Sequence, residues 1–195
     1  MYVTLFYQYL LRHSSISVNE IDFVASFFRK EVLKASECFI RQGNTSAKLA
    51  FVEEGVLKTN YTYSEEETIR SFSQKNNWIG HWESFIGQKP SPNSVYAVSN
   101  CQLVTITRHG FQRLEEELAN GSTTLRKAIF EELQAAWTNP YKRIEDPKER
   151  YEKFIQAQPE VAFELSTENI ATYLQIPHEL LLQVLCETLF FYKSI

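Results

Sequence analysis

The sequence predicts an α+β chain that runs helices, then an all-β segment, then helices again. Three observations carry that prediction. Apolar residues recur at spacings of three and four before residue 35 and again after residue 108. Between residues 37 and 107 the pattern changes to short β-branched and aromatic runs broken by turn residues. Asn139-Pro140 then punctuates the second helical stretch. A length of 195 residues with 44% hydrophobic content is enough for one or two cores.

Residues 1–34 place Leu5, Leu10, Leu11, Ile21, Val24, Phe27 and Phe28 at helical spacing, and Ser17 with Glu20 has the form of a capping box, so two short helices are expected. The apolar opening, residues 1–11, is shorter than the roughly 20 residues that span a bilayer, and polar residues follow it instead of a small-residue cleavage site. It reads as the first helix, with no membrane partner. In the β segment, turns are expected at residues 42–44, 54–55, 64–66 and 75–77. Strands at such close intervals mean an antiparallel sandwich, barrel or roll. Phe111, Leu114 and Leu118, then Leu125, Ile129, Leu133 and Ala136, form the later apolar stripes.

Cys38, Cys101 and Cys186 are far apart and form no Cys-x-x-Cys pair, so no disulfide framework, metal site or cofactor is signalled and a cytoplasmic location fits. A net charge of −4 opposes a general polyanion-binding surface while leaving room for a local basic patch. There is no nucleophile with a base, no phosphate-cradling glycine run and no carboxylate pair at a plausible site, so an enzyme is not expected.

Residues 39–43, 49–58 and 78–85, followed by 97–101, 103–106 and 111–114, resemble successive turns of the cyclic-nucleotide-binding β-roll. Residues 146–154 and 167–177 resemble the C-terminal domain of Crp/Fnr-like transcription regulators. The resemblance implies an antiparallel β-roll (double-stranded β-helix) over residues 1–121 with its N-terminal helices. A connecting and dimerisation helix over 122–140 follows, then a degenerate, winged-helix-like helix-turn-helix over 141–195, expected to be truncated. It also implies a small-molecule effector, DNA and a second copy of the chain as partners.

Gly43, Gly55 and Gly80 stand where tight turns need positive φ in any roll. The segment after Gly80 is more specific, because in the family a short helix there receives the cyclic phosphate at its N-terminus. The pocket candidates are Gly80, His81, Trp82, Glu83, Ser84, Ser91, Asn93 and Ser94. The family's Gly-Glu pair, which grips the ribose, stands here as Gly80-His81, and its Arg-Ser pair, which neutralises the phosphate, falls at Ser91-Pro92. Cyclic AMP is therefore not the expected effector. Arg70 and Lys75 lie outside this cassette and read as solvated cations. His81 reads as a hydrogen-bonding group and not a metal or haem ligand, since His13, His109 and His178 are scattered. Trp78, Trp82 and Phe85 read as roll core.

Residues 167–174 read as the first helix of the helix-turn-helix, capped by Ser166 or Thr167, with 175–177 as the turn and 178–191 as the recognition helix. In the family that helix carries an arginine that reads guanine and further cations that grip phosphate. The matching positions here are Leu182, Gln183, Leu185, Cys186 and Glu187, and the helix contains no Lys or Arg. Thr167, His178 and Gln183 are the remaining DNA-contact candidates. Lys142, Arg143, Lys148, Arg150 and Lys153 alternate with acids and read as a solvated, paired helix surface. Leu181, Leu185 and Phe190 are expected to be buried on the roll or on another chain. The family-level role is transcription regulation; the alternative is a degenerate member that binds a ligand or protein and no longer DNA.

Overall fold

Sheet formation begins earlier than the sequence pattern predicts. The computed structural model describes residues 4–13, 16–63, 66–118 and 121–192, with the side chains of 63, 66, 121 and 188–192 outside that description. Two helices open the chain as expected, α1 (Leu5–His13) and α2 (Ile21–Ala25). Residues 29–33 then form strand β1 (Arg29–Leu33) instead of continuing the helical zone to residue 34. The cause is tertiary, since β1 pairs antiparallel with β8 (Cys101–Thr107), Arg29 opposite Thr105 and Leu33 opposite Cys101. Ser17 and Glu20 make half of a capping box: the Glu20 carboxylate accepts from the Ser17 backbone N–H at 3.0 Å and hydroxyl at 2.6 Å, while no side chain caps the start of α2.

The remaining strands are β2 (Cys38–Ile40), β3 (Lys48–Glu54), β4 (Leu57–Tyr63), β5 (Glu66–Ser73), β6 (Trp78–Ile79) and β7 (Ser94–Ala97), with helix α3 (Trp82–Gly87) between β6 and β7. They build two four-stranded sheets, ordered β1-β8-β3-β6 and β2-β7-β4-β5, and every pairing is antiparallel. The turn from β3 to β4 requires glycine: Gly55 has φ +91°, and a Cβ there would lie 2.5 Å from the Asn100 carbonyl oxygen.

Apolar burial divides into three layers. Leu57 and Val95 of one sheet meet Val52, Ile79 and Leu103 of the other inside the roll. A second layer lies between the first sheet and the helices, where Trp78 is packed among Phe6, Tyr9, Phe28 and Phe51 at ring-centroid distances of 5.7–6.3 Å. Trp82 and Phe85 also lie in this layer, so all three aromatics are core, yet on the helix-covered side of the sheet and not between the sheets. Helices α4 (Arg108–Glu117) and α5 (Gly121–Ala135) complete it. Leu125, Ile129 and Leu133 are 0–2% exposed in the chain's own core, so the stripe that a dimer seam would use is buried within the protomer.

A 3-10 helix (Pro140–Arg143), α6 (Pro147–Ala157), α7 (Pro159–Glu164), α8 (Thr167–Leu174) and α9 (His178–Tyr192) follow. They form the third layer, on Val56, Ile69 and Phe72 of the second sheet. Tyr173 of α8 meets Phe72 edge-on at 4.9 Å. Asp146 and Ser166 cap α6 and α8 through their side-chain oxygens. No strand follows β8 among the described residues, so they include no wing of a winged helix. Arg150 is not a solvated cation: its guanidinium donates to the carbonyls of Ile144 and Leu174 at 2.8 Å and Gln175 at 3.2 Å, tying the segment between α5 and α6 (residues 136–146, here called the hinge) to the end of α8. Among the described residues no helix is long and apolar enough to cross a membrane.

Candidate functional site

The pocket candidates other than Trp82 and Glu83 lie on either side of one loop, residues 42–46. On one side, Gly80 at φ +151° delivers the chain to His81, which sits at the N-cap of α3 and accepts the Ser84 backbone N–H on Nδ1 at 3.1 Å. Ser84 accepts the Ser46 backbone N–H at 2.8 Å and donates to the Lys89 carbonyl at 2.5 Å. On the other side, the Ser91 backbone exchanges hydrogen bonds with Gly43 and Asn44, and its hydroxyl donates to the Asn93 carbonyl at 2.8 Å. Ser94 accepts the Gln42 backbone N–H at 2.9 Å. Ser84, Ser91 and Asn93 are 1–2% exposed and Ser94 is 7% exposed. The Ser84, Ser91 and Ser94 hydroxyls are therefore already engaged by the chain itself, whereas Asn93 Oδ1 is buried without a partner among the described residues.

Two candidates face elsewhere. Trp82 packs edge-on against Phe111 and Phe130, with the Arg126 guanidinium 5.6 Å from its ring, and so belongs to the helical layer. Glu83 is exposed and accepts from Gln134 of α5 at 3.0 Å.

His81 is covered from an unexpected direction. The Trp137 ring, just beyond α5, lies 4.9 Å from the His81 ring, and the Arg70 guanidinium of β5 sits 4.5 Å from the centroid of Trp137. Nothing in the local sequence signals this stack, because its members come from three separate segments. Arg70 is thus half-buried and not a solvated cation, whereas Lys75 forms a surface ion pair with Glu160. His81 Nε2 is buried without a hydrogen-bond partner among the described residues. Its pKa is lowered from 6.5, first by burial and then by the Arg70 charge, with Glu83 acting in the opposite sense.

A histidine whose folded pKa is depressed adds stability above its unfolded pKa of 6.5, and that stability is lost as pH falls through the folded pKa. The wild type is expected to lose stability relative to His81→Asn on going from pH 7.5 to pH 5, about one pH unit or more to either side of the histidine range. Asparagine keeps a capping oxygen and does not titrate. Urea unfolding at the two pH values checks this, and parallel curves for both proteins would refute it.

The DNA-contact candidates are partly brought together. Thr167 Oγ1 and His178 Nε2 are hydrogen-bonded at 2.9 Å, with the Glu168 carboxylate 3.7 Å from the same imidazole nitrogen. Gln183 stays apart on the exposed side of α9 with Leu182, Cys186 and Glu187. Residues 154–192 contain no Lys or Arg. Leu181 is fully buried and Leu185 half-buried against the C-terminal layer, whereas the side chain of Phe190 lies outside the described residues. Asn169 of α8 accepts from Lys58 of β4 at 3.4 Å, a polar contact that joins the C-terminal helices to the roll.

Residues 30–117 match the family model for the cyclic nucleotide-binding domain. Comparison with curated proteins finds no significant match. Among solved structures, the chain is similar to the c-di-GMP responsive global regulator CLP of Xanthomonas campestris, with a TM-score of 0.69, 14% identity, 88% of this chain covered and 91% of that one. FixK2 of Bradyrhizobium japonicum aligns with a TM-score of 0.66, 13% identity and coverage of 82% and 83%. The cAMP-bound regulatory domain of Toxoplasma gondii PKA aligns with a TM-score of 0.49 and 20% identity, over 57% of this chain and 41% of that one. At such identities the likeness to the first two structures shows a shared fold alone.

Proposed function

We propose that this chain, whose residues 30–117 match the family model for the cyclic nucleotide-binding domain, is a Crp/Fnr-type regulator that has lost its cyclic-nucleotide grips. In this reading residues 1–121 are the sensor, 122–140 the connector and 141–195 the output unit, acting in the cytoplasm. The observation that carries it is the order of parts: the likeness to regulators of this type runs through the roll and the C-terminal helices alike. In this reading the contact of α8 with β5 through Phe72 and Tyr173 is a docked form of the output unit. No dimer seam is assigned to α5, whose stripe is already buried.

A second reading, a degenerate member that no longer binds DNA and acts as a ligand-binding or protein-interaction module, is favoured by one observation. Helices α7, α8 and α9 carry no Lys or Arg to meet phosphate, and Leu182 of α9 is 41% exposed. Phosphate neutralisation supplies most non-specific affinity for DNA, and a protein making about 6–10 phosphate contacts loses about 10³–10⁵ in affinity between 50 and 200 mM salt.

Fluorescence anisotropy with duplexes from the chain's own promoter separates the two. The docked wild type is expected to show no specific binding near physiological salt, and Phe72→Ala, which loosens α8 from the sheet, to gain salt-sensitive binding. Tight binding by the wild type would overturn the docked-form assignment. No binding by either protein at any salt would replace the regulator reading with the protein-interaction one.

A further inference from the structure

The β4–β5 pair and the hinge line a second, open cleft that shares no residue with the cassette and has Trp137 in its wall. It has a volume of about 450 Å³, within the usual range for small-molecule sites, and is lined by Tyr61, Thr68 and Arg70 from the sheet and by Trp137, Lys142 and Arg143 from the hinge, among others. None of its lining residues is acidic. Arg70, Lys142 and Arg143 form no ion pair among the described residues, and they converge on this one cavity. Three cations around one cavity repel each other. Arg70 is moreover held in place by the Trp137 ring, so its guanidinium is preorganised and loses little freedom on meeting an anion.

We infer that this cleft binds a small molecule bearing at least a diphosphate, which bridges β5 to the hinge. The chemistry follows from the lining: two exposed cations and one half-buried guanidinium match a multiply charged anion, and the Thr68 hydroxyl adds a neutral donor. The position gives binding a consequence. The hinge is already anchored to α8, since Asn139 donates to the Tyr173 carbonyl at 2.8 Å and accepts the Tyr141 N–H at 2.9 Å. An anion joining Arg70 to Lys142 and Arg143 pins that hinge to the sheet and holds the C-terminal helices docked. This deepens the proposed regulator reading by naming an effector class. Binding itself does not depend on whether the output helices read DNA.

The test is calorimetric titration of the full chain with inorganic pyrophosphate, against sodium sulfate at matched ionic strength. Saturable binding is expected, weakening with salt. Arg70→Gln and the exposed pair Lys142→Gln/Arg143→Gln are each expected to weaken it by about tenfold or more, the loss of at least one charge-assisted hydrogen bond. Lys30→Gln/Lys34→Gln, a surface pair beside β1, should leave it unchanged. Should Arg70→Gln fail to fold, the hinge pair alone decides. The proposal is overturned by an absence of saturable heat, by an equal effect of sulfate, or by equal weakening in the control pair. It is also overturned if the hinge pair folds and leaves pyrophosphate binding intact. Pyrophosphate binding without any DNA binding would fail the regulator reading and leave this site standing.

Discussion

Cyclic AMP is expected to bind this chain about a hundredfold to ten-thousandfold more weakly than a roll that keeps both charged grips. Each lost charge-assisted hydrogen bond removes about 1.5–3 kcal/mol, roughly ten- to a hundredfold in affinity. Here both positions have changed, to His81 and Ser91, and neither side chain is available. His81 caps α3 through Nδ1 and is covered by Trp137, while Ser91 is committed to Asn93. Entry of a ligand would also break the bonds from the 42–46 loop to Ser84, Ser91 and Ser94. Calorimetry with cyclic AMP and cyclic GMP checks this. Micromolar affinity for either would show that another cation supplies the phosphate charge. Arg70 is the first to examine, because it lies closest to His81 through the Trp137 stack.

Arg150→Ala is expected to destabilise the protein by about 3 kcal/mol, the scale of losing charged hydrogen bonds and leaving half-buried carbonyls unpaired. For a chain of this size that corresponds to a melting temperature lower by about 6–12 °C. The guanidinium spans the Ile144 carbonyl at the hinge and the Leu174 and Gln175 carbonyls after α8. Gln175 is in the left-handed region with φ +55°, so the turn into α9 depends on outside support for its carbonyls. Arg150→Lys keeps the charge but cannot fork between both ends, and should fall between wild type and alanine. Urea unfolding measures all three. A loss under about 1 kcal/mol for alanine would mean the turn is held by packing alone.

Much of the architecture is determined locally and was legible in the residues. The change of hydrophobic period near residues 37 and 108 marks the β segment, because side-chain direction repeats every two residues in strands and every 3.6 in helices. The cap and turn around 166–177 are equally local: Ser166 caps α8, and Gln175-Ile176-Pro177 ends it. The missing grips at His81 and Ser91 and the lack of cations across 154–192 are plain in the sequence, and they account for most of the functional reading.

Other features required partners distant in the chain. Arg29-Lys30-Glu31 has no strand alternation of its own and becomes β1 because β8 offers an open edge. The Leu125, Ile129 and Leu133 stripe announces an apolar face without saying what covers it, and only the folded chain places it on the first sheet. Arg70 and Trp137 are unremarkable in isolation, and together with His81 they define both the closed cassette and the second cleft. The sequence by itself determined the periods, caps and charges of this protein, since those depend on neighbours within a turn or two. Tertiary structure alone decided which apolar face meets which and which cations converge, because burial and electrostatic fields are set by residues that the chain brings together only on folding.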